Sequence, residues 1–261
     1  MGITRKPAVA GSFYPSNPDR LRAMLGDFLE HARTDQPAPR AMIVPHAGYI
    51  YSGQIAASGY ARLLNSPGAY TRVVLLGPAH RVAISGLAAT GATAFATPLG
   101  EVPVDQAAIS RLSELPQVRI LDEAQRLEHS LEVHLPFLQV TLGNFSLIPL
   151  VVGDATAEDV CEVLELEAQV PGTLLVISSD LSHYHDYATA TRMDKDTSRH
   201  IEALDHAGIG FGQACGRNPV SGLLLYARRH ALTAETIDLR NSGDTAGPRD
   251  QVVGYGAYVF N

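Results

Sequence analysis

Leu174-Leu175-Val176-Ile177-Ser178-Ser179-Asp180-Leu181-Ser182-His183-Tyr184 is an apolar run that breaks into hydroxyl, carboxylate and imidazole side chains. Unbroken apolar residues without alternation mark a strand covered on both faces, as in parallel sheets. The pattern recurs. Residues 41–44 run into Pro45-His46-Ala47-Gly48-Tyr49, and 73–76 into Gly77-Pro78-Ala79-His80. Residues 147–152 run into Gly153-Asp154. In an open α/β sheet, ligands bind in the crevice beyond the carboxyl ends of the strands. Strand ends of this kind predict one histidine-lined site.

Working outward, Leu21, Met24, Leu25 and Phe28 have helical spacing, which predicts a helix over 17–32 with Asn17 as cap and Pro18 in its first turn. Residues 52–64 read as a small-residue helix able to pack closely on a sheet. Further helices are expected over 103–112, 157–166, 188–207 and 220–230, and strands over 145–152, 173–177, 232–238 and 252–260. Residues 87–96 read as an irregular hairpin. Helical spacing over 127–142 contains Pro136, so a helix starts or kinks there. Strands alternating with helices predict one domain over residues 1–261, a three-layer α/β/α fold with a mainly parallel central sheet.

Composition narrows the function classes. The chain has 261 residues, 46% hydrophobic and 18% charged, ordinary for a globular enzyme. A net charge of −7 with no Lys/Arg block argues against a nucleic-acid surface. No apolar run approaches the roughly 18 residues that span a bilayer, and Met1–Pro7 lacks the apolar segment of a signal peptide. Two cysteines, Cys161 and Cys215, fit a reducing cytoplasm better than a disulfide framework. The expectation is a cytoplasmic protein without a membrane or nucleic-acid partner. Oligomeric state has no signature in the sequence.

His46 and His80 sit just beyond buried strands, each preceded by turn-forming residues. They are loop histidines without a shared role, or ligands of one metal, since neutral imidazole binds Fe, Zn, Cu and Ni. Asp180 and His183 form a second cluster. An Asp-x-x-His step brings carboxylate and imidazole together if a helical turn starts there, and a carboxylate on one ring nitrogen prepares the other for proton transfer. The competing reading is a helix cap. Glu128-His129-Ser130-Leu131-Glu132-Val133-His134-Leu135-Pro136 is a third cluster. Its order is wrong for His-Glu-x-x-His, and His129 and His134 stand about 140° apart on a helix. It reads as an amphipathic helix with Leu131, Leu135 and Leu138 inward, or as a pocket wall. Cys215 precedes a helix, where a thiolate is stabilised; a small buried residue is the alternative. Cys161 reads as core, and His31, His200, His206 and His230 as helical residues without function. No nucleophile elbow, P-loop, Cys-x-x-Cys pair or dinucleotide fingerprint is present.

Arg5-Lys6-Pro7-Ala8-Val9-Ala10-Gly11-Ser12-Phe13-Tyr14-Pro15, Pro45–Tyr49, Gly77–His80, Glu128–Pro136, Ser178–Tyr184 and Cys215–Pro219 together resemble the Memo family, protein B of the AmmeMemoRadiSam system. The resemblance implies a fold similar to the catalytic subunit of class III extradiol (LigB-type) dioxygenases, which use non-haem Fe(II). It implies His46, His80 and Cys215 as metal ligands, with Asp180 and His183 near the acid/base positions. His134 and Glu132 would then shape the pocket. In that dioxygenase class the third ligand is a carboxylate; a thiolate at Cys215 favours copper or zinc more. The expected function is a dioxygenase-like redox enzyme on a small organic substrate, with a copper- or iron-binding or peptide-binding module as the alternative. A metal-free hydrolase with Cys215 as nucleophile and His183 as base ranks behind both. The resemblance further implies AMMECR1-like and radical-SAM proteins as partners.

Overall fold

The computed structural model describes residues 2–261. The chain opens with β1 (Thr4–Arg5), α1 (Pro18–His31), β2 (Ala41–Val44), α2 (Tyr49–Tyr60) and β3 (Arg72–Pro78). Three short strands follow: β4 (Leu87–Ala89), β5 (Ala94–Thr97) and β6 (Gly100–Pro103). Next come α3 (Gln106–Leu112), β7 (Val118–Ile120), α4 (Asp122–Arg126), α5 (Leu135–Leu142), β8 (Ser146–Val152), α6 (Ala157–Ala168) and β9 (Thr173–Ser178). The chain ends with β10 (His183–His185), α7 (Tyr187–Glu202), α8 (Arg217–Arg229), β11 (Ala234–Asn241) and β12 (Val252–Phe260).

A nine-stranded sheet runs in the order β10-β12-β2-β9-β3-β8-β4-β7, with β11 paired along β12. Its middle strands β2-β9-β3-β8 are parallel, whereas β12 joins β2 and β4 joins β8 antiparallel. The apolar runs account for this arrangement. Every residue of β2 is buried, as are Val73–Pro78 of β3, so both faces need helices. From β2 through α2 to β3 the chain steps over β9; from β8 through α6 to β9 it steps back over β3. Right-handed crossovers taken in opposite directions put their helices on opposite faces. Accordingly α1, α2 and α5 pack together as one layer, while α6 and α8 pair with each other against β9. The expected α/β/α layering with a mainly parallel centre is what forms.

Register levels the carboxyl ends of the central strands. Val44 is opposite Ser178, Leu76 opposite Ile177, and Pro78 opposite Val152. Loops leaving β2, β3 and β9 therefore begin side by side.

Three local expectations change. Residues 87–96 are not a hairpin: β4 belongs to the large sheet, while β5 pairs with β1 and β6 in a separate three-stranded sheet. The hairpin lies one step later, closed by Gly100 at φ +123. Helix α7 stops at Glu202, five residues early, because Leu204 turns to φ +53 and Asp205 takes the His200 ring. His206 therefore lies in a loop. Pro136 sits in the first turn of α5, where it costs no hydrogen bond, after a 3-10 turn over Glu132–His134.

Glu132 fastens the N-terminal segment to this frame. Its fully buried carboxylate accepts from the Arg5 guanidinium, the Ala8 and Val9 amides and the Tyr14 hydroxyl. Arg5 is held further by the Gln125 and Glu128 carbonyls. Removing one member of a buried pair strands the other charge, at a cost of about 3–5 kcal/mol. Glu132→Gln is expected to lower stability by about that amount in urea unfolding; a loss below about 1 kcal/mol would contradict this anchoring role.

Candidate metal centre

Three loops bring His46, His80 and Cys215 together. One ligand atom from each lies within 4.8 Å of the others. Nε2 of His46 is 3.4 Å from Cys215 Sγ, and the two imidazole rings meet edge to face at 5.1 Å. Two donors on one tetrahedral zinc-sized ion, an imidazole nitrogen and a thiolate, stand about 3.5 Å apart. The observed spacing suits one ion.

Ser178 decides how His46 presents itself. A hydroxyl has one proton, and Ser178 Oγ gives it to the Ser130 carbonyl at 2.6 Å. Its contacts with His46 Nδ1 (2.6 Å) and His134 Nε2 (2.8 Å) must then be donated by the rings. His46 is thereby fixed with Nδ1 protonated and Nε2 free, facing Cys215. Burial, then the His80 and His129 rings, hold its pKa well below the ordinary imidazole value, so the ring is neutral. His134 stands one layer behind, its Nδ1 paired with the Tyr60 hydroxyl at 2.9 Å. Burial holds it neutral too.

Glu128 does the same for His80. Its carboxylate accepts from the His80 ring Nδ1 at 2.9 Å and from the His80, His129 and Ser130 amides. Burial pushes this carboxyl up, but the hydrogen bonds from the His80 ring and from the Ser130 and His80 amides outweigh it and bring it down to about 2. An ionised carboxylate only accepts, so His80 Nδ1 carries the proton and Nε2 is free. This carboxylate–histidine pairing is what orients metal-ligating imidazoles in general.

Asp180 is placed differently from expectation. Its Oδ1 accepts the His46 backbone N–H at 2.8 Å, so it positions His46 rather than His183. The residues after β9 continue to strand β10 instead of a helical turn, and His183 Nδ1 donates to the Leu181 carbonyl at 2.8 Å. The His183 Nε2 is left free. Burial pushes Asp180 up, opposed by the His46 amide and the surrounding imidazoles. Cys215 is clamped reciprocally: Asp180 N–H donates to Sγ at 3.3 Å, and Cys215 N–H to the Asp180 carbonyl at 3.2 Å. Burial, then the Asp180 charge, push the thiol up, opposite to the expectation from its helix-end position. Gly216 permits this approach, since a Cβ there would stand 2.6 Å from the Ser178 carbonyl.

Glu128 and His129 belong to the Glu128–Pro136 cluster, whose pocket-wall reading gave neither of them a role. The His129 ring stacks on His80 at 4.7 Å and meets His46 at 5.5 Å. With His80 and Glu128 it makes a second group of metal-type donors. Its Nδ1 is buried without a hydrogen-bond partner among the described residues. Both follow in the order Glu-His directly after α4, and that adjacency was the available signal. Glu132, expected at the pocket, commits its oxygens to the N-terminal segment. A cavity of about 360 Å³ borders Cys215 and is lined also by Pro78, Gly153, Asp154, Phe211 and Arg217.

No helix among the described residues is long and apolar enough to cross a membrane. Residues 5–259 match the family model described as Memo-like protein. A MEMO1 family protein of Saccharolobus islandicus (strain M.14.25) is 35% identical over 284 residues, covering 99% of both chains. Its counterpart in Thermoplasma volcanium is 33% identical over 268 residues, covering 98% of each. The crystal structure of an uncharacterized protein from Escherichia coli K12 superposes with a TM-score of 0.56 at 15% identity, covering 84% of this chain and 98% of that one. That likeness concerns the fold. The match along almost the whole length, with the motifs that built this site, makes the chain a member of the Memo-like family.

Proposed function

We propose that the chain is a non-haem metal protein of the redox type, in which His46, His80 and Cys215 hold Fe(II) beside a small organic substrate. One observation carries the reading. His46, buried, and His80, more exposed, have their Nδ1 atoms committed to Ser178 and Glu128, and one donor atom of each lies within 4.8 Å of the other and of Cys215 Sγ. Bound iron would supply the one-electron chemistry that imidazole, thiol and carboxylate groups lack. His183 can hold or pass a proton at Nε2, because the Leu181 carbonyl keeps Nδ1 protonated. Asp180 keeps His46 and Cys215 in register through their backbones.

A second reading is favoured by the sulfur. Thiolate selects soft ions, so sequestration of copper in the same three-residue set is the alternative. Metal analysis of protein purified anaerobically without added ions, followed by oxygen uptake with phenolic substrates, tests the first reading. Iron at one equivalent with substrate-dependent oxygen uptake supports it. Cys215→Ser separates the two. The iron reading expects Fe(II) affinity to fall by at least tenfold; the copper reading expects Cu(I) binding to be lost and Fe(II) binding to be untouched. His46→Ala with unchanged content of every metal would sink both.

The orienting layer gives its own prediction. Removing such partners typically costs 10–100-fold in metal affinity. Ser178→Ala is expected to weaken metal binding by about tenfold with an unchanged far-ultraviolet circular dichroism spectrum, read by competition with a chromophoric chelator.

A further inference from the structure

Eight large apolar side chains are exposed among the described residues, and three of them border one groove: Ile3 at 68%, Ile120 at 52% and Leu127 at 49%. The groove measures about 690 Å³ and is lined by the extended segment from Ile3 to Ala8 and by helix α4 with Leu127. Thr90 and Ala92 line it as well. A Cβ on Gly91, between those two, would stand 3.6 Å from Cγ2 of Ile120, so the apolar surface continues onto β7. Both β1 and β7, which border the groove, are edge strands. Single exposed apolar residues need no explanation, but a contiguous apolar surface rimmed by charge marks an interaction site.

Charge at the rim decides what covers it. Helix α4 reads Asp122-Glu123-Ala124-Gln125-Arg126, with Ala124 and Gln125 buried and the other three exposed. Asp122 is engaged locally, accepting from the Thr90 hydroxyl at 2.7 Å and the Gly91 amide at 2.8 Å. Glu123, Arg126 and the nearby Lys6 enter no ion pair among the described residues. The exposed face of α4 is therefore acidic where the helix starts and basic where it ends. Such a face complements itself after half a turn. With two α4 helices antiparallel across an axis, Glu123 of each copy meets Arg126 of the other. Every pairing in a two-fold contact occurs twice, so one acid and one base make two bridges. A uniformly acidic or basic partner would meet one attraction and one repulsion. Strand β7 has only three residues, which leaves little edge for a sheet to extend and makes side chains the contact.

We propose that this groove is the contact surface of a two-fold dimer, covered by a second copy of the chain with the two α4 helices antiparallel. Ile3, Ile120 and Leu127 drive association as they leave water, and the Glu123–Arg126 pairs fix its orientation. None of the residues lining the groove is a candidate metal ligand, so the contact forms with or without a metal.

Sedimentation equilibrium of the full chain across the micromolar range tests this. The parent is expected at twice the mass of the chain. Leu127→Glu should raise the dimer dissociation constant by about tenfold or more. Glu123→Arg alone and Arg126→Glu alone each set like charges across the axis twice, and each should raise it by about tenfold. An equimolar mixture of these two single variants should recover the dimer to within about threefold of the parent, because each copy brings the charge the other lacks. Chains that had failed to fold could not imitate that recovery. A parent that stays monomeric, alone or with another protein seated in the groove, overturns the proposal. So does a parent dimer indifferent to all three substitutions, since its interface then lies elsewhere. Weakened single variants that gain nothing on mixing overturn the antiparallel pairing and the proposal with it.

Discussion

The single hydroxyl proton of Ser178 organises the centre. Ser178 ends β9, the strand between β2 and β3, and pairs in register with Val44. His46, two residues beyond Val44, therefore arrives at the Ser178 side chain without a long loop to order. With its proton spent on the Ser130 carbonyl, the hydroxyl can only accept from the imidazoles on either side. Ser130 in turn donates its own hydroxyl proton to the Pro78 carbonyl at the end of β3. One short chain of hydrogen bonds thus ties the ends of β2, β3 and β9 to the segment that carries Glu128 and His129.

Electrostatics reinforce this geometry. Burying several titratable groups in one place is tolerable when most are neutral. His46 and His134 are held neutral by burial and the Cys215 thiol is pushed up, so none of the three carries charge. The acids of the site are Glu128, fully satisfied by hydrogen bonds, and Asp180, whose Oδ1 accepts the His46 amide. The arrangement keeps lone pairs pointed at one space at little electrostatic cost.

The architecture was legible in the sequence because buried parallel strands write themselves as continuous apolar runs, and the residues just past them are the crevice. His46 and His80 follow from that rule, and Cys215 from the resemblance to a family. The reading of Glu128–Pro136 as a pocket wall reached Glu128 and His129 but gave neither a partner, because the cluster was also weighed by separation around a helix. Separations around a helix have no meaning where the backbone is a turn, and here only residues from Leu135 onward are α-helical. Asp180 was given to His183 because their spacing suits a helical turn. Strand β10 removes that turn, and the carboxylate goes to the His46 amide instead. Both errors arise from side-chain spacing being read through the wrong backbone period.

Sulfur at position 215 and a carboxylate at 180 belong together. Asp180 and Cys215 clasp each other's backbones, and the Asp180 carboxylate raises the thiol. A second carboxylate at 215 would face the first at close range in a buried site, where like charges cannot both ionise cheaply. A thiol avoids that conflict, since it stays neutral until a cation takes the place of its proton. The sulfur's acceptance of the Asp180 N–H at 3.3 Å holds it in position meanwhile. Sulfur at this position is therefore a consequence of how β9 and α8 are stitched together through Asp180 and Gly216. Exchanging the sulfur for oxygen would call for a change at Asp180 as well.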